Sequence, residues 1–220
     1  MVRVQSNRKS IVVISGPSTA GKSRVIRELL AQFNLYKFII SHTTRSPRKD
    51  EVQERDYHFI DRPEFMEMIH TGQFLQWKQS EFGLYGTSLG SIAATLEEGF
   101  VPLLDLDPDS YTYLKSLEQY DVLGIYIVPD SVDTLKKRIY SRGERRGIHN
   151  RSDADTRIRM SLESVKQSLW YEYLLENNLD STTAQTIHQI IETEKYKRLK
   201  TTLYLKWMIE SQAELKISED

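Results

Sequence analysis

The chain has 220 residues, and its 30 basic and 31 acidic side chains leave a formal charge of −1, which excludes a global field driving attachment to nucleic acid or anionic lipid. Hydrophobic residues at 39% supply enough apolar surface to offset chain entropy, which excludes a disordered chain and fits one sizeable α/β core. With no cysteine, disulfide frameworks, cysteine-ligated zinc and thiol nucleophiles are excluded, and a cytoplasmic protein is the expectation.

The run Ile11 to Ser15 reads as a buried strand ending in a Gly-rich turn. A helix is predicted from Lys22, because Val25, Ile26, Leu29, Leu30 and Phe33 recur at three- and four-residue spacings. Lys37 to Ser41, Phe100 to Asp105 and Val122 to Val128 read as further strands, so helices and strands alternate as in a parallel sheet with crossover helices. Between Tyr57 and Thr87 the order changes to a helix after Pro63 and then aromatic-rich runs at Phe74 to Trp77 and Tyr85 to Thr87, the pattern of an inserted antiparallel lobe. Ser131 to Tyr140 resumes as a helix. Arg142 to Ser152 reads as a long polar loop, of the kind that carries function. From Asp153 onward helix formers dominate, and Glu192 to Leu215 reads as an amphipathic helix with Leu199, Leu203, Trp207 and Met208 on one face. No stretch approaches the roughly 20 apolar residues that span a bilayer.

Gly16-Pro17-Ser18-Thr19-Ala20-Gly21-Lys22-Ser23 fits the phosphate-binding pattern G-x-x-x-x-G-K-[ST], directly after a strand and directly before a helix. Backbone N–H groups of such a loop cradle phosphate oxygens, the lysine neutralises charge at the β- and γ-phosphates, and the hydroxyl coordinates Mg²⁺. A nucleoside triphosphate is therefore the expected ligand. Downstream, Ser41-His42-Thr43-Thr44-Arg45-Ser46-Pro47-Arg48 precedes Glu51 and Asp56-Tyr57-His58-Phe59. Two arginines flanking a proline turn can grip one phosphate from two sides.

At this point the chain resembles the guanylate kinase family, in order along the sequence and over residues of roughly 10 to 192. The resemblance rests on the phosphate loop, Thr43-Thr44-Arg45-Ser46-Pro47-Arg48, Asp56-Tyr57-His58-Phe59, Gly72-Gln73-Phe74-Leu75, Tyr85-Gly86-Thr87-Ser88, Leu104-Asp105-Leu106-Asp107 and Arg142-Gly143. It implies a core at about 10–40 and 98–192 that binds ATP, an acceptor-binding lobe at about 41–97 of mixed α/β structure, a lid at about 142–158, and a helical extension at 193–220. It further implies that Ser41, Arg45, Arg48, Tyr57 and Tyr85 contact the acceptor phosphate. Gln76, Thr87 and Asp107 fall where the family reads the guanine base. Ser23 and Asp105 would hold Mg²⁺, and Lys22, Arg45, Arg142 and Arg159 would carry catalysis.

The implied reaction moves the γ-phosphate of ATP to GMP, with nucleotides as the small-molecule partners and neither nucleic acid nor membrane expected. Another purine monophosphate or a phosphorylated small molecule, or a non-catalytic binding module of the same fold, remain alternatives. Four positions depart from the family pattern. Thr19 replaces a glycine of the phosphate loop, Gln76 replaces a base-reading glutamate, and Pro108 and Ser110 alter the turn after Asp107. An amide offers one acceptor where a carboxylate offers two, so Gln76 is expected to narrow the margin of GMP over IMP or AMP.

Overall fold

A computed structural model describes residues 9–145, 151–178 and 182–195. The main sheet contains β1 (Lys9–Ser15), β2 (Tyr36–Phe38), β7 (Val101–Leu104), β8 (Tyr120–Val128) and β9 (Tyr173–Glu176), all parallel in the order β2-β7-β1-β8-β9. Parallel strands buried on both faces read as continuous apolar runs, and Ile11, Val12, Val13 and Ile14 are each at most 1% exposed. One face packs α1 (Lys22–Gln32) through Val25, Ile26 and Leu29, together with a helix at 182–195 through Ala184, Ile187 and Ile191. The other face packs α3 (Leu89–Glu97) through Ile92 and α4 (Pro108–Ser116) through Tyr111 and Leu114. Gly124 lets α4 approach closely, because a Cβ there would stand 2.6 Å from the Tyr111 ring.

A second sheet, order β4-β3-β6-β5, is built from β3 (His42–Thr43), β4 (His58–Phe59), β5 (Phe74–Ser80) and β6 (Gly83–Ser88). Its β3–β4 pair is parallel and the others antiparallel, so the lobe is mixed. The helix α2 (Arg62–His70) caps it, with Asp61 accepting from Glu64 N and Pro63 in the first turn. Phe65, Phe74 and Leu84 form this lobe's own small core.

Several elements differ from the sequence reading. The strand expected over Lys37 to Ser41 ends at Phe38, and the chain then crosses into the second sheet at His42. Of the stretch Arg142 to Ser152, read as a loop, the described ends are helical, since α5 (Val132–Arg145) covers its start and α6 (Arg151–Lys166) its end, while residues 146–150 lie outside the described residues. Arginine and glutamate are good helix formers, so polarity alone did not mark a loop. Leu135 and Ile139 of α5 pack on Ile158 of α6, which fixes this hairpin. Of the helix expected over Glu192 to Leu215, residues beyond 195 lie outside the described residues. No helix among the described residues is long and apolar enough to cross a membrane.

Candidate active site

The C-terminal ends of β1 and β7 and the N-terminus of α1 converge on two adjoining clefts. Parallel sheets place ligands at this edge. The larger, about 740 Å³, is lined by Ser18, Thr19, Lys22, Ser23, Asp105 and Arg142 among others. The smaller, about 510 Å³, shares Ser18, Lys22 and Asp105 and adds Gln76, Lys78 and Asp107.

The phosphate loop is held in shape from three directions. Gly16 has φ 150° and lies so close to β8 that a Cβ would stand 2.1 Å from Ile127 O. Ser15 Oγ donates to Leu106 O at 2.6 Å and accepts from Tyr171 OH at 2.8 Å, which ties the end of β1 to the turn carrying Asp105 and Asp107. From behind, Asn177, fully buried, donates through Nδ2 to Ala20 O at 2.7 Å. Asn177 Oδ1 accepts from Thr183, and its backbone N–H donates to Val128 O. Thr19 has φ 70°, so the position that departs from the family glycine does sit in the left-handed region. A β-branched residue there carries strain on the order of 1–2 kcal/mol.

Lys22 Nζ donates to Gly16 O at 2.9 Å and lies 3.8 Å from Asp105 Oδ1. Burial pushes the Asp105 carboxyl above its ordinary pKa, while Lys22 and Lys78 pull it back. Ser23 and Asp105 both face the larger cleft, which brings together two hard oxygen donors beside a loop built for phosphate. Among the described residues no group of three or more His, Asp or Glu could hold a metal by itself. Such a pair suits Mg²⁺, which takes few protein ligands and completes its shell with phosphate and water.

Arg45 is caged. Its Nε donates to Tyr85 OH at 3.1 Å, its Nη2 donates to Glu51 Oε1 at 2.9 Å, and its Nη1 lies 2.8 Å from Glu51 Oε2. The guanidinium also lies 5.5 Å from the Tyr57 ring centroid and 5.8 Å from that of Phe59. Glu51 accepts from Arg48 N at 2.8 Å as well, so one carboxylate positions both arginines. The Arg45 hydrogen bond, then the Arg48 N–H, hold the Glu51 carboxyl below its usual range. Ser41 Oγ lies 3.5 Å from Thr87 Oγ1; like Arg45, neither lines the two clefts. Asp107 caps α4, accepting from Ser110 N at 2.9 Å, and thereby stands at the cleft wall.

The sequence reading missed four contributors. Glu51 follows Arg48 by three residues with no motif to mark its role. Lys78 follows Gln76 by two residues on β5 and so shares its face. Arg138, one turn before Arg142 on α5, lines the larger cleft and donates to Asn177 O at 3.2 Å, with its Nη1 buried and without a hydrogen-bond partner among the described residues. Arg157 shares a face of α6 with Ser161 and Ser164 and lines the smaller cleft. Arg159, two residues on, points to another side of the helix. It lines neither cleft and bonds Thr156 Oγ1 at 3.3 Å. Arg145 ends α5 and Arg151 begins α6, in segments whose side chains lie outside the described residues.

The lobe also contains a half-buried histidine pair. His42 and His58 face each other across β3 and β4 with ring centroids 4.5 Å apart. Burial first, and His58 second, lower the His42 pKa to about 4, and burial lowers that of His58. A folded-state pKa below the unfolded value near 6.5 means that the unfolded chain binds more protons between those limits. Stability is therefore complete above about pH 6.5 and is lost as pH falls toward about 4. Allowing for partial solvent access, we expect about 1–2 kcal/mol from this pair. The melting temperature of His42→Gln, followed from pH 7 to pH 4, should fall less steeply than that of the wild type.

A sequence model of guanylate kinase matches residues 8–194. The chain is 35% identical to the guanylate kinase of Clostridioides difficile (strain 630), over 85% of this chain and 89% of that one. It is 31% identical to the guanylate kinase of Bacillus anthracis, over 94% of this chain and 99% of that one. The crystal structure of guanylate kinase from Anaplasma phagocytophilum superposes with a TM-score of 0.60 at 23% identity, covering 86% of this chain and 87% of that chain, and supports the fold. With a family match spanning most of its length and a phosphate loop, arginine cage and acidic pair in the order the family pattern requires, this chain belongs to the guanylate kinase family.

Proposed function

We propose that this chain transfers the γ-phosphate of ATP to GMP, giving ADP and GDP. The observation that carries the reading is the pair of adjoining clefts sharing Ser18, Lys22 and Asp105, one beside the phosphate loop and the other leading toward Gln76 and Asp107. A donor phosphate in the first and an acceptor in the second would meet at Lys22.

In this reading Gly16 to Ser23 take the ATP phosphates, and Lys22 lies where charge builds on the transferring group. Arg45, Arg48, Tyr57, Tyr85 and Ser41 hold the acceptor phosphate, while Gln76, Thr87 and Asp107 read its base. Mg²⁺, when bound, would neutralise charge on the β- and γ-oxygens, with Ser23 and Asp105 as its protein ligands. Arg142, with Arg138 beside it, faces the donor cleft; Arg159 would enter only on movement of α6. Residues 10–40 and 98–192 serve as the core, 41–97 as the acceptor lobe, 142–158 as the lid and 193–220 as an extension. Phosphoryl transfer of this kind works by positioning and charge, so His42 and His58 need no acid–base role.

The test is ADP release from MgATP with a panel of nucleoside monophosphates. GMP should give the highest kcat/KM. Nucleotide binding without turnover of any acceptor would instead mark a binding module, and a preference for another monophosphate would reassign the substrate.

A further inference from the structure

The wall of the smaller cleft contains three polar side chains whose protons can be counted. Ser110 Oγ is hydrogen-bonded to Gln76 Oε1 and lies 2.8 Å from Asp107 Oδ1. Ser110 itself is 9% exposed and stands behind Gln76 and Asp107, which line the cleft. A hydroxyl has one proton, whereas an amide oxygen and a carboxylate oxygen are both acceptors only. With the amide oxygen turned to Ser110, one of the two contacts has no proton.

The competition has a clear winner. Donation to the carboxylate is charge-assisted, and Asp107 Oδ1 is already pinned beside Ser110 by the backbone N–H at 2.9 Å. Turning the Gln76 amide over exchanges its oxygen and nitrogen at nearly the same positions, an assignment that the hydrogen-bond network decides. Both contacts then have a donor, since Gln76 Nε2 donates to Ser110 Oγ and Ser110 donates to Asp107 Oδ1.

We propose that Ser110 is a specificity-determining positioning residue, which holds the Gln76 amide with its nitrogen inward and its oxygen facing the acceptor base. Gln76 Oε1 and the outer oxygen of Asp107 then present two acceptors to the cleft. Guanine carries two adjacent donors, N1–H and the 2-amino group, and meets them. Adenine has an acceptor at N1 and is repelled. A carboxylate at position 76 would need no such device, because its two ends are equivalent; an amide must be oriented by a neighbour. The expectation that Gln76 by itself loosens selection is thus countered by Ser110. This inference rests on the proposal that GMP is the acceptor.

The experiment compares kcat and KM for GMP and AMP, with saturating MgATP, in the wild type, Ser110→Ala, Ser110→Thr, Gln76→Glu and Gln76→Glu/Ser110→Ala. Thermal melting of each variant checks its fold. Ser110→Ala should lower the GMP/AMP ratio of kcat/KM about tenfold, mainly through KM for GMP. Ser110→Thr, which keeps the hydroxyl, should retain the wild-type ratio, and the alanine should lose its effect once residue 76 is a carboxylate. An unchanged ratio in Ser110→Ala, or an equal loss in both backgrounds, would overturn the orientation while leaving the GMP assignment intact. A wild type that prefers AMP overturns both, since adenine N1 requires the amide nitrogen outward.

Discussion

Lys22→Ala is expected to reduce MgATP-dependent ADP formation by roughly 100-fold or more, because it removes a preorganised charge from the point where the two clefts meet. The lysine is the first residue of α1 and its ammonium is held by Gly16 O and Asp105. Alanine is a good helix former, so the fold should tolerate the change while the chemistry does not. A second consequence separates this from simple loss of affinity. The Asp105 carboxyl loses the nearer of its two compensating cations, leaving only Lys78 to oppose its burial. Its pKa should rise further, and residual activity should decline more steeply with falling pH than in the wild type. Full activity in Lys22→Ala, measured by coupled ADP release, would sink the phosphotransfer reading.

Arg45→Ala should weaken the acceptor far more than ATP. A charge-assisted contact to phosphate is worth about 1.5–3 kcal/mol, or roughly tenfold to 150-fold in affinity. The upper end is expected here, since the substitution also exposes the acceptor phosphate to Glu51, which Arg45 otherwise neutralises through two contacts. Arg48→Ala should cost less, because Glu51 binds its backbone N–H, which alanine retains. Removing the stranded carboxylate in Arg45→Ala/Glu51→Gln should recover part of the loss. Equal losses for ATP and GMP in Arg45→Ala, read by calorimetry with each nucleotide alone, would remove this arginine from the acceptor site.

The phosphate loop and its flanking elements were legible because that motif constrains sequence and backbone together: a strand must deliver the loop and a helix must begin at its lysine. Thr19 tested this from the other side, since the residue departs from glycine and the backbone keeps the left-handed conformation regardless. Contacts made across the chain were less legible. β9 has four residues, and its place comes from pairing with Ile125 to Val128, a partner no local periodicity reveals. The break between β2 and β3 was hidden because Ile39 is as apolar as any strand residue, although it turns the chain from one sheet to the other. On α6, pattern matching selected Arg159 while helix geometry turns Arg157 to the cleft. Ser110 was noted only as a departure, because its effect depends on which atoms of Gln76 and Asp107 it touches.

The buried side chain of Asn177 has a consequence for the order in which a growing chain can acquire its shape. It closes the back of the phosphate loop from a point 157 residues downstream. At bacterial or eukaryotic elongation rates of about 5–20 residues per second, that separation is roughly 8–30 s of synthesis. Through that interval α1 and the acceptor lobe can form on the ribosome, whereas Ala20 O has no Asn177 to meet. Thr19, strained in the left-handed region, gains this brace only when Asn177, just after β9, has been made. A nascent chain halted before β9 would thus carry the phosphate-loop motif without the brace that Asn177 supplies.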